Sequence, residues 1–180
     1  MDLDLTKRWI KRWEGTRPVA YDDATGESLS PGMTAMGNPT IGVGLNLNTT
    51  AARMTIASLG LDYANVLSGA VTLTEDEIEY LLSTSITTAI SSVRSLVPNF
   101  DYLPDNQQLV LADLAFDIGE ARLAEFTYVL SYVRRQLFAT AAAALQESKW
   151  FRQVGAGPHQ RGGADVAVLG NMANPEDILG

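Results

Sequence analysis

The chain has 180 residues and a mass of 19.4 kDa, 46% hydrophobic and 19% charged, which suits one folded domain and excludes both a multidomain enzyme and wholesale disorder. With no cysteine and one histidine, His159, it can hold no disulfide framework, thiol nucleophile or thiolate metal site, and a multi-His zinc site or Ser-His-Asp triad is not expected. The net charge of −8 is concentrated in residues 62–126, where eleven acids face only Arg94 and Arg122, an imbalance that argues against general nucleic-acid binding.

In chain order, Leu5, Trp9, Ile10 and Trp13 share one face and predict a helix over 4–14. Gly15 closes it and Pro18 prevents its continuation. Lys7, Arg8, Lys11, Arg12 and Arg17 make this end locally basic, and with no apolar h-region it does not read as a signal peptide. Residues 19–48 are rich in Gly, Asn, Asp, Ser, Thr and Pro, with β-like pieces around Val19–Tyr21 and Thr40–Leu45, so a small antiparallel sheet with loops is expected. Helix returns near Thr49 and stops at Gly60.

Thr74-Glu75-Asp76-Glu77 has the spacing of a capping box, a hydroxyl at the cap and a glutamate three residues on. Behind it Ile78, Leu81, Leu82, Ile86, Ala89, Ile90, Val93 and Leu96 recur at helical steps until Pro98. That is about six turns, long enough to join two lobes. Further helices are predicted over 104–118, 121–136 and 137–150, with a last one from about 158–160 to Gly170 and a tail over 171–180. No apolar run approaches the ~18 residues of a membrane span. The fold class is α+β, mostly α: a single domain over 1–170, with a small lobe over about 15–70 and a helical lobe over about 75–170 plus the N-terminal helix.

With Cys and His nearly absent, catalysis falls to carboxylates. Glu14 ends an amphipathic helix beside Trp13, whereas Asp23 lies in a polar turn. A carboxyl against an apolar face can keep its proton while one in a polar turn stays ionised, which is the division of labour glycoside hydrolysis needs. Either residue taken alone reads as an ordinary helix-end or turn acid. Its neighbour Asp22 reads as a dispensable turn residue, and Asp22-Asp23 lacks the further oxygens of a calcium loop. Trp9, Trp13 and Trp150 read as core, His159 as a surface residue.

The string Glu14-Gly15-x-Arg17-x-x-Ala20-Tyr21-Asp22-Asp23-x-Thr25-Gly26, followed by Thr40-Ile41-Gly42-Val43-Gly44, resembles the signature of phage-type lysozymes, glycoside hydrolase family 24. Phe116-Asp117-Ile118-Gly119 and Ser148-Lys149-Trp150-Phe151-Arg152-Gln153, with Pro158 and Arg161, extend the similarity over roughly residues 5–169. The resemblance implies a two-lobed lysozyme-like fold whose inter-lobe cleft binds peptidoglycan glycan strands. It further implies hydrolysis of the β-1,4 bond between N-acetylmuramic acid and N-acetylglucosamine with inversion, for bacterial cell-wall lysis, without metal or organic cofactor. Glu14 would be the general acid, Asp23 the base or positioner of the attacking water, and Thr40 would help hold that water. Arg161 would pair with Glu14, and Asp117, Gly44 and Leu45 would stand at substrate-facing positions. The expected product is a monomer, made in the host cytoplasm without a signal peptide and acting on the cell wall, free or within a virion or toxin assembly.

The sequence departs from the family pattern at several places. Glu27–Pro39 inserts thirteen residues between Gly26 and Thr40, which leaves Thr40 the weakest match; this loop reads as a lid, with Met33 or Met36 over a sugar, or as a passive excursion. Leu45 replaces a His, Asp117 replaces an amide, and the acidic balance replaces the basic one of well-known members. Two rivals stay open: a lytic transglycosylase, which needs a Glu but no paired Asp, and a non-catalytic wall-binding or virion structural module.

Overall fold

In the computed structural model, which describes all 180 residues, the chain divides into two compact units. One comprises Glu14–Ser85, the other Met1–Trp13 together with Ile86–Gly180.

The Glu14–Ser85 unit is built on a three-stranded antiparallel sheet in the order β1-β2-β3, with β1 at Arg17–Asp22, β2 at Pro39–Gly42 and β3 at Leu45–Asn46. Tyr21 pairs with Thr40 and Asp22 with Pro39, and a register shift lies between Arg17 and Tyr21. Against β1 packs α3 (Tyr63–Leu67), a short helix that the sequence pattern does not announce, and α2 (Thr50–Ser58) packs against α3. Thr49 caps α2 by accepting from the Ala52 N–H, and Asp62 caps α3 by accepting from Asn65. Ala20, Ile41, Leu47, Ile56, Val66 and Leu81 form the core of this unit, each such large aliphatic side chain stabilising it by about 1.5–3 kcal/mol.

The capping box forms as expected: Glu77 N–H donates to Thr74 Oγ1 (3.3 Å) while Thr74 N–H donates to Glu77 Oε2 (2.7 Å). It opens α4, Glu75–Leu96, and the boundary between the two units falls within this helix, after Ser85.

The other unit is helical throughout: α1 (Leu3–Glu14, all but its last residue), the rest of α4, α5 (Asp105–Ala124), α6 (Thr127–Arg134), α7 (Phe138–Gln146), α8 (Lys149–Val154), α9 (Arg161–Leu169) and α10 (Pro175–Leu179). The predicted 121–136 and 137–150 helices are thus shorter and become three. Gly119, at φ +74°, interrupts α5 after one uniformly buried run from Gln107 to Ala115. Residues 171–180 are no mere tail, because Asn174 caps α10 and Arg8 on α1 holds Glu176. Trp9 is fully buried and meets Trp13 edge to face, centroids 5.6 Å apart. No helix is long and apolar enough to cross a membrane.

Candidate functional site

Glu14 is the last residue of α1 and Gly15, at φ +71°, turns the chain away from the helix into β1. The glutamate is half-buried. Asp23 follows the end of β1 and is exposed. Between them in sequence stands Tyr21, whose hydroxyl is pushed above its ordinary range by burial first and then by the charge of Glu14, with Arg17 opposing and Asp23 adding to the rise. Both acids therefore act on one phenol, so Glu14 and Asp23, nine residues apart on either side of β1, share one electrostatic neighbourhood. The Arg17 guanidinium also lies over the Tyr21 ring, 4.8 Å from its centroid.

Thr40 is buried on β2, and the strand pairing sets it opposite Tyr21 in spite of the thirteen-residue insertion. The insertion folds back on its own unit. Ser28 bridges to Tyr21, Leu29 N–H donates to the Ala20 carbonyl (2.8 Å), and the Leu29 side chain is buried. Met33 and Met36 remain exposed.

Asp22 is what closes the loop, and here the expectation of a dispensable turn residue is corrected. It is only 4% exposed. Its Oδ1 accepts from Ala24 N–H (3.0 Å) and Gly37 N–H (2.9 Å), and its Oδ2 from Met36 N–H (2.7 Å). Those donors, Met36 foremost, hold its carboxyl below the usual range against the opposing effect of burial. Asp22 is the last residue of β1 and is buried under the loop, while Asp23, in the turn that follows, faces the same loop from an exposed position.

Asp23 is met by the next residue of the loop. Asn38 N–H donates to Asp23 Oδ1 (2.6 Å) and Asn38 Nδ2 to Oδ2 (3.0 Å), while Thr40 Oγ1 donates to the Asn38 carbonyl (3.2 Å). Sequence reasoning passed over Asn38 because it lies in a segment the family pattern does not cover. Gly44 sits at φ +73° in the turn from β2 to β3, and Leu45 pairs with Ile41, half-buried. These two shape the hairpin.

The remaining predicted residues belong to the helical unit. Arg161, at the start of α9, is 7% exposed and forks onto the fully buried Asp113 of α5, Nε to Oδ2 at 2.8 Å and Nη2 to Oδ1 at 2.9 Å. Its Nη1 lies 3.2 Å from Asp117 Oδ1, and Asp117 Oδ2 accepts from the Trp150 indole (2.5 Å). Asp165, also fully buried, accepts from Trp9 Nε1 (3.0 Å) and is hydrogen-bonded to Asp113. Burial foremost, then the charge of Asp113, pushes its carboxyl well above the ordinary value, with Arg161 opposing, which favours its protonated form. Three aspartates are thus held by one guanidinium and two indoles. A recess of about 630 Å³ in the same unit is walled by Ile118, Arg122, Phe126, Tyr128, Lys149 and Trp150; Glu14, Asp23, Thr40 and Arg161 do not line it.

No group of three or more metal-ligating side chains is arranged to hold an ion. A sequence model of the family described as phage lysozyme matches residues 11–162, which takes in Glu14, Asp23, Thr40, Asp117 and Arg161.

Proposed function

Because the chain belongs to the phage lysozyme family, and so is a glycosidase acting on cell-wall peptidoglycan, we propose that it is an inverting muramidase of the β-1,4 bond between N-acetylmuramic acid and N-acetylglucosamine. Glu14 gives a proton to the leaving O4 as the C1–O4 bond breaks. Water attacks C1 from the other face and passes its proton to Asp23, leaving an α-anomer at the new reducing end. Proton exchange with solvent restores both carboxyls. Thr40 accepts a hydrogen bond from that water, and Asp117 and Arg161 support the substrate.

The observation that carries this reading is the neighbourhood of Glu14, Tyr21, Asp23 and Thr40 within one compact unit, with neutral donors alone on Asp23 among its hydrogen-bond partners. One hydrogen bond to each oxygen leaves the second lone pair of each free for water. A lytic transglycosylase needs no such water-facing acid. Nor does a non-catalytic module need Glu14, Asp23 and Thr40 together.

The test is release of reducing ends from purified peptidoglycan. Glu14→Gln keeps the shape but has no proton to give, and should lower kcat by about 10²–10⁴ with unchanged circular dichroism. Asp23→Asn should be nearly as severe. More than a tenth of wild-type activity in a folded Glu14→Gln enzyme removes Glu14 as the acid.

A further inference from the structure

An exposed aspartate is a poor base unless something aims it. A free side chain samples several rotamers, and a water must be met by a lone pair in near-attack geometry. Asp23 is exposed, yet both of its oxygens are engaged by the same residue, the backbone N–H of Asn38 on one and the side-chain amide on the other. Two bonds to the two oxygens fix both side-chain torsions at once.

The same asparagine reaches the other water-holding candidate. Its carbonyl accepts from Asp23 N–H (3.1 Å) and from Thr40 Oγ1 (3.2 Å). Thr40 thereby spends its only proton on Asn38 and presents lone pairs to whatever stands before it. The orientation of the amide is itself set, because Asn48 Nδ2 donates to Asn38 Oδ1 (3.3 Å), which turns Nδ2 towards Asp23. The approach is close enough that a Cβ on Gly37 would lie 2.1 Å from Asp23 Oδ1. Asp22, one residue before the base, clamps the Met36 and Gly37 N–H groups and so carries Asn38 to its place.

We propose that Asn38 is the positioning residue of the hydrolytic water: it aims the Asp23 carboxylate and turns the Thr40 hydroxyl, so the insertion supplies alignment rather than a lid. The arrangement uses a neutral amide, which fixes direction without setting a cation beside the base. It rests on the reading of Asp23 as that base.

The experiment is steady-state kinetics on soluble peptidoglycan fragments for wild type, Asp23→Asn, Asn38→Ala and Asn38→Asp, with a melting temperature for each. Asn38 is exposed, and both replacements keep its backbone bonds. Asn38→Ala should lower kcat roughly 10–100-fold, the scale of a 1 Å misplacement, with KM within two-fold of wild type. Asn38→Asp keeps the side-chain length but turns a donor into an acceptor against Asp23, and should be at least as slow. Wild-type kcat in Asn38→Ala, beside an inactive Asp23→Asn, overturns the positioning role and leaves the base standing. A rise in KM matched by a fall in melting temperature, with kcat kept, makes Asn38 a mere loop staple and also overturns it. An Asn38→Asp enzyme faster than Asn38→Ala shows that bulk rather than the donor matters. Activity retained in Asp23→Asn overturns the underlying reading of the base instead.

Discussion

Two clusters of aspartates in this molecule are held in opposite ways. In the Glu14–Ser85 unit, Asp22 and Asp23 are held by neutral groups, namely backbone N–H of Ala24, Met36, Gly37 and Asn38 and the Asn38 amide. In the helical unit, Asp113, Asp117 and Asp165 are gathered around Arg161 and two indoles, with the Asp165 carboxyl pushed well above its ordinary value by burial. The difference follows from solvation. Asp22, buried as a single acid, has three backbone N–H donors to favour its charge, and the exposed Asp23 needs only the Asn38 groups to aim it. Where Asp113 and Asp165 are both fully buried, a second uncompensated charge would cost too much, so one acid is matched by a guanidinium and the other stays neutral.

The comparison breaks most visibly at its one cation. Arg161→Ala leaves Asp113 buried without its partner and should destabilise the protein by about 3–5 kcal/mol. An unchanged melting midpoint would mean that Asp113 is compensated elsewhere.

Asp165→Asn sharpens the contrast by mimicking the protonated acid: its amide can donate to Asp113 while its oxygen accepts from Trp9. A carboxyl raised in the folded state adds stability that is full below its unfolded pKa of about 3.9 and lost as pH rises through the folded value. The variant should match wild type near pH 4 and then gain on it by up to about 1.4 kcal/mol for each pH unit until that folded value is reached. Thermal melts from pH 4 to 8 check this, and a constant gap would mean that Asp165 is ionised throughout.

Asp22→Asn should show the opposite sign and the smaller effect. A carboxyl lowered in the folded state stabilises above its unfolded pKa and loses that contribution as pH falls through the folded value. Wild type should melt above the variant at pH 6, and the two should converge below about pH 4. A gap that persists in acid would place the loss in packing rather than in charge.

What the sequence disclosed follows the reach of each interaction. The capping box at Thr74 and the Trp9 face of α1 are local patterns, visible within four residues. Thr40 could be matched to the family by its Thr-Ile-Gly string, but its place beside Tyr21 depends on strand pairing across the insertion. Asp22 and Asp23 are chemically identical neighbours, and only the fold of the loop onto the end of β1 separates a buried anchor from an exposed acid. Asp113 and Arg161 are 48 residues apart, so nothing local joins them. One signal was available and went unread: Asp165 stands in the apolar run Ala164-Asp-Val-Ala-Val-Leu169, where a buried acid requires a partner. The short α3 was hidden by weak periodicity, whereas the break at Gly119 falls where the predicted 104–118 helix ends.

The central claim is that a water aimed by Asp23, and not an enzyme carboxylate or the substrate's own hydroxyl, attacks the anomeric carbon. A ¹H NMR time course on soluble peptidoglycan fragments reads the configuration of the first product before mutarotation. Inversion predicts that the α-anomer appears first and decays to the equilibrium mixture. A β-anomer formed first, or a 1,6-anhydro end with no reducing sugar, would contradict it.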